Sequence, residues 1–167
     1  MPAHLNLPPD RARIVERLAR LPPLESLFTA DDLERQKSNA ERPMKDAAVL
    51  VLVVNHPQSP TIVFTQRTRH LADHAGQISF PGGRCDDADC DVERTALREA
   101  EEEIGIDPAR VEILGRLPEY HTSTGYNVTP FVAWIEPPVA FRPDPREVDE
   151  IFEVPLAFLL DPGNHRY

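Results

Sequence analysis

Glu99, Glu102 and Glu103 stand three and four residues apart within Thr95-Ala-Leu-Arg-Glu-Ala-Glu-Glu-Glu-Ile-Gly-Ile106. Oxygen-only side chains at that spacing suit a hard divalent cation, Mg²⁺ or Mn²⁺. On a helix advancing about 100° per residue from Ala96, the three carboxylates fall between about 240° and 340°. Leu97, Ala100 and Ile104 fall between about 0° and 100° and make an apolar stripe away from them. Glu101, near 140°, reads as ordinary surface. Like charges at these spacings repel, and a bound cation would remove the penalty. Taken alone, an acidic helix face is as readily a solvated surface as a metal site. Its surroundings argue for chemistry. Gly82-Gly83 make a tight turn at the end of a strand-like run, where backbone can approach a ligand closely. Asp91 is placed to cap the helix, and Gly105, with Asp107-Pro108 beyond it, to end it.

A second group has the opposite charge. Arg67, Arg69, His70 and His74 crowd just before the glycines in a chain with 28 acidic and 18 basic residues and a formal net charge of -10. That balance argues against a nucleic-acid or anionic-membrane surface. A local basic patch beside a cation site fits a phosphorylated small molecule. Cys85 and Cys90 lie in the loop before the helix. Two thiols without further Cys or His nearby make a poor zinc site, and a reduced pair is expected. No apolar run nears the roughly 20 residues that span a bilayer, and the N-terminus lacks a basic-then-apolar signal. The expectation is a cytoplasmic monomer or homodimer.

The elements that must position these groups follow from hydropathy. Residues 8–20 read as a short helix with Ile14, Leu18 and Leu21 on one side, and residues 30–44 as a loose polar lead-in. Ala47 to Val54 is a continuous apolar run, the mark of a strand buried on both faces. Thr61 to Arg67 reads as its return strand. Val111 to Leu117, Val128 to Ile135 and Ile151 to Val154 read as further strands. Tyr120 to Tyr126 reads as a polar loop, and Pro155 to Leu160 as a turn or helix. At 167 residues the chain is one domain's worth, divided into a helical lead-in over 1–44 and a catalytic domain over 45–167. Strands around a central helix, with more helices outside, predict an α/β fold with a mixed sheet between helical layers.

Two stretches carry a family resemblance. Arg98-Glu99-Ala100-Glu101-Glu102-Glu103-Ile104-Gly105-Ile106 resembles the C-terminal half of the Nudix box. The N-terminal half departs from it: Gly83 stands fifteen residues before Arg98, where the pattern has fourteen, and Cys90 falls on the pattern's first Glu. A one-residue insertion accounts for both and gives that Glu's role to Asp89. Upstream, Thr65, Arg67, Gly76 and Phe80-Pro81-Gly82-Gly83 resemble the signature of Nudix coenzyme A pyrophosphatases, with Thr68 where Ser or Ala is usual and Ala72 where Arg is usual. Leu117 to Phe131 and Glu147 to Leu156 are similar to the same subgroup.

The resemblance implies a Nudix α/β/α sandwich and hydrolysis of coenzyme A to 3′,5′-ADP and phosphopantetheine. Glu99, Glu102 and Glu103 would hold Mg²⁺ or Mn²⁺ with a backbone carbonyl of Gly82 or Gly83. Arg98 would orient these carboxylates. Arg67 and Arg69, with the two glycines, would meet substrate. Glu147 would serve as a distal ligand or as the base, with Glu150 a weaker candidate. The alternatives are a Nudix hydrolase of ADP-ribose or a dinucleotide, and a non-catalytic Nudix-fold binding module. Relatives continue with another strand and a closing helix, so a truncated chain is expected.

Overall fold

The structure is a computed structural model that describes residues 10–22, 30–41, 43–69, 75–89 and 91–165. Helices α1 (Arg11–Leu18) and α2 (Ala30–Ala40) precede strands β1 (Lys45–Val54), β2 (Thr61–Arg67), β3 (Ile78–Ser79) and β4 (Gly82–Arg84). Helix α3 (Val92–Ile104) follows, then β5 (Glu112–Arg116), β6 (Tyr120–His121), β7 (Tyr126–Ile135), β8 (Val148–Pro155) and α4 (Leu156–Leu160).

The apolar run of β1 lies at the middle of one mixed sheet. It pairs in parallel with β7 from Lys45 opposite Tyr126 to Val54 opposite Ile135. On its other edge it pairs antiparallel with β2 at Val53 and Val54, and with β4 at Ala47 to Val49. β8 takes the far edge of β2, and β5 and β6 the far edge of β7. Because side chains alternate along a strand, Ala48, Leu50, Leu52 and Val54 point to one face. There they pack with Ala96, Ala100 and Ile104 of α3 and with Phe131, Ala133 and Ile135 of β7. Val53, Ile62, Val132 and Trp134 point to the other face, against Leu156 of α4 and Ile14 and Leu18 of α1. The result is the expected sandwich: α3 on one face, α1 and α4 on the other. None of the helices among the described residues is long and apolar enough to cross a membrane.

Three local readings are corrected. Residues 30–44 hold a helix rather than a loose lead-in. Its anchor is polar: Gln36 Nε2 and Asn39 Nδ2 donate to the His121 carbonyl at 3.2 and 2.9 Å, and His121 N donates to Gln36 Oε1 at 2.7 Å. Both amides are buried, so α2 is fastened by hydrogen bonds that no apolar stripe announces. Gly82 and Gly83 form strand β4 rather than a turn, because they find a partner edge on β1. The polar segment from Tyr120 contains β6, paired with Val128 and Asn127. His70, Ala72, His74 and Cys90 lie outside the described residues; Cys85 carries a free, half-buried thiol.

Candidate functional site

Helix α3 is fixed at both ends. Asp91 Oδ1 accepts from Arg94 N at 2.8 Å, the N-cap its position predicted. Gly105 closes the helix in the left-handed region at φ 68°, which costs glycine little. Its last carbonyls are taken by the loop beyond: Arg142 N donates to Ile104 O at 2.8 Å and Asp144 N to Glu103 O at 3.0 Å. Those bonds tie residues 142–148 to the helix C-terminus. A second tie comes from the residue just past β2: Thr68 N donates to the Glu147 carbonyl at 2.9 Å and Thr68 Oγ1 to Arg146 O at 3.3 Å. Thr68, read from sequence only as a departure from a signature, therefore helps to place Glu147.

The three carboxylates of α3 share a side but not an environment. The Glu102 side chain is 59% exposed, Glu99 16% and Glu103 5%. The helical projection set Glu103 apart from the apolar stripe. Its angle lies only about 20° from that of Ala96, and packing against the sheet buries it. There Glu103 Oε2 accepts from Gly82 N at 3.0 Å, and Oε1 stands 3.7 Å from Arg67 Nη1. Burial raises its pKa from 4.5 to about 7, against the pull of the Gly82 N–H and Arg67, while Glu99 and Glu147 push it further up. Burial also raises Glu99; Arg98 opposes this, and Glu102 and Glu147 add repulsion. Glu147, exposed on its loop, is thus close enough for its charge to act on both.

Arg98 holds the group together. Its Nη1 donates to Glu99 Oε1 at 2.9 Å and to Glu102 Oε2 at 3.3 Å. Its Nε and Nη2 grip Asp89 at 3.0 and 2.9 Å, and Nη2 also reaches Arg84 O at 3.3 Å. Asp89 is itself fixed by Thr95 Oγ1 and Asp86 N. These bonds, led by Arg98, hold its pKa well below the carboxylate range. Asp89 therefore orients Arg98 from the loop, and Arg98 orients Glu99 and Glu102.

Gly83 completes the site by what it lacks. A Cβ there would lie 2.4 Å from Cδ of Glu99, so only glycine lets that carboxylate lie against β4. Arg67 shares the pocket with Glu103, and its Nε is buried without a hydrogen-bond partner among the described residues. Arg69 is exposed beyond β2, its stem near Gly76, and Glu101 is exposed as expected. Among the described residues no three acidic, His or Cys side chains stand at the spacing of a closed metal site. The donor set nonetheless fits a hard divalent cation. The donors are all oxygens, two of the carboxylates are raised by burial and mutual repulsion, and Gly83 leaves Glu99 room against the backbone. They also crowd the negative end of a helix with no basic residue in its last turn.

The chain matches the NUDIX domain over residues 44–166. It is 45% identical over 144 residues to a Shigella flexneri protein named as an uncharacterized Nudix hydrolase, NudL; the match covers 85% of this chain and 74% of that one. NudL of Escherichia coli O1:K1 is 49% identical over 121 residues, or 72% of this chain and 62% of the relative. Among solved structures, a Nudix hydrolase from M. smegmatis, RenU, shares the fold with TM-score 0.59 at 23% identity, over 71% of this chain and 78% of that one. The Nudix domain of Shewanella oneidensis NrtR, crystallised with ADP ribose, shares it with TM-score 0.54 at 23% identity, over 87% and 84%. Enzymes of this family generally use divalent metals such as Mg²⁺. With the NUDIX domain matched over most of its length and a relative 45% identical, the chain belongs to the Nudix family of pyrophosphohydrolases.

Proposed function

We propose that the protein hydrolyses the diphosphate linkage of coenzyme A or its derivatives, giving 3′,5′-ADP and phosphopantetheine. The observation that carries this reading is the meeting at β4 of Glu99 and Glu103 with Arg67, a residue of the coenzyme A pyrophosphatase signature. Glu99, Glu102 and Glu103, with the Gly83 carbonyl, would hold Mg²⁺ or Mn²⁺, and such an ion supplies charge neutralisation at the diphosphate and a more acidic water. Arg98 keeps Glu99 and Glu102 turned toward one another's side of the helix. Arg67 offers its guanidinium to phosphate oxygens beside Glu103, and Arg69 and Gly82 line the approach. Glu147, held over the carboxylates by the Thr68 contacts, takes the proton of the attacking water as oxygen bonds to phosphorus and the bridging P–O bond breaks. Such a transfer needs mainly placement and charge compensation, which a cap-locked helix provides.

The test is a panel of coenzyme A, dephospho-coenzyme A, ADP-ribose and a dinucleoside polyphosphate with Mg²⁺ and Mn²⁺, resolved by product chromatography. Coenzyme A should be cleaved fastest. A clear win for ADP-ribose would refute the substrate and leave the family intact. Binding without turnover of any substrate would favour a non-catalytic module instead.

A further inference from the structure

Glu147 stands in a turn rather than a helix, yet its backbone is fixed on both sides. The segment Asp144-Pro145-Arg146-Glu147 builds that turn by local chemistry. Asp favours the first position of such a turn and Pro the second, where its fixed φ is already the one required. Glu147 N donates to the Asp144 carbonyl at 3.0 Å and Val148 N to the same oxygen at 2.8 Å. The Asp144 side chain closes the inside of the turn, its Oδ1 accepting from Arg146 N at 3.0 Å. The Arg146 guanidinium folds back onto the same carboxylate, Nη2 donating to Oδ2 at 2.6 Å.

Asp144 also faces α3. Its N donates to the Glu103 carbonyl at 3.0 Å. One residue therefore bonds through its N–H to the backbone of Glu103 and through its carbonyl to the backbone of Glu147. On the other side Thr68 holds the Arg146 and Glu147 carbonyls, and the buried Val148 anchors the start of β8.

We infer that Asp144 is a positioning residue for the reaction: its side chain shapes the turn that holds the Glu147 carboxylate over those of α3. The inference rests on the reading of Glu147 as the base. The working group is the acceptor oxygen on Arg146 N, not the ion pair. The Arg146 side chain is 85% exposed, and an ion pair so open to water holds a loop weakly. Asn keeps the acceptor oxygen and gives up the charge, Ser keeps a weaker hydroxyl acceptor, and Ala has neither.

Steady-state kinetics of the full chain, on whichever diphosphate of the panel above is cleaved fastest, test this. A reacting group displaced by about 1 Å can cost on the order of a hundredfold in rate. Asp144→Ala should therefore lower kcat at least about tenfold while KM and Mn²⁺ affinity stay within about twofold of the parent. Asp144→Asn should keep at least about half of the parental turnover, with Asp144→Ser between the two. The comparison of Asn with Ser decides even where circular dichroism shows the Ala variant unfolded. In a Glu147→Gln background, itself strongly impaired, Asp144→Ala should cost less than about twofold more, because both changes act on one group. Three results would each overturn this inference alone: an Asn variant as impaired as Ser or Ala, a loss of Mn²⁺ affinity matching the loss of turnover, or a full additive loss in the Glu147→Gln background. Near-normal turnover of Glu147→Gln itself would overturn the role of Glu147 as the base and this inference with it.

Discussion

Replacing Glu103 by Gln tests the central electrostatic feature of the site. Folding moves the Glu103 pKa from 4.5 to about 7. Between those values the folded state holds a proton that the unfolded chain has released, so metal-free stability falls as pH rises through the window. Above pH 7 both states are ionised and the penalty is constant. A shift of that size corresponds to on the order of 3 kcal/mol. Gln keeps an oxygen for the Gly82 N–H, but it leaves Arg67 without its anion at 3.7 Å, which takes back part of the gain. A net stabilisation of about 1 to 2 kcal/mol at pH 8, vanishing near pH 4.5, is expected for Glu103→Gln. In a chain of this length that is a rise in melting temperature of roughly 3 to 8 °C. Thermal melts of both proteins in chelator from pH 4.5 to 8 measure it. Mg²⁺ should raise the melting temperature of the parent by mass action and that of the variant much less. Parallel pH profiles in chelator would refute a desolvated, ionisable Glu103.

Glu99→Gln should lower turnover at saturating Mg²⁺ by at least about a hundredfold, whereas Glu101→Gln, on the exposed side of α3, should behave like the parent; equal losses would reject the carboxylate face. Gly83→Ala puts a methyl where the Glu99 carboxylate lies, so Mn²⁺ affinity measured by calorimetry should collapse while circular dichroism stays native. Asp89→Asn weakens the grip on Arg98 and should cost about tenfold or more in Mn²⁺ affinity, the scale of losing a partner behind a metal ligand; an unchanged titration would show that Arg98 orients the carboxylates unaided.

The sequence by itself determined whatever depends on neighbours a few residues apart. Asp91 and Gly105 marked the ends of α3 because capping is a local matter of one side chain and one φ angle. The unbroken apolar run from Ala47 to Val54 could only be a strand covered on both faces, and β1 is that. The spacing of Glu99, Glu102 and Glu103 set them on one side of a helix whatever the helix packs against. Tertiary structure decided the rest, because it depended on groups distant along the chain. Burial of Glu103 beside Arg67 and Gly82 arises where β2, β4 and α3 meet, and it separates carboxylates that look alike in sequence into one buried, one half-buried and one exposed. The grip of Arg98 on Asp89 likewise depends on how the loop before α3 folds back, since a loop's length does not say which carboxylate its turn brings inward. Helix α2 was invisible because buried amides bonded to the His121 backbone hold it, and hydrogen bonding to a remote strand leaves no periodicity in the helix's own residues.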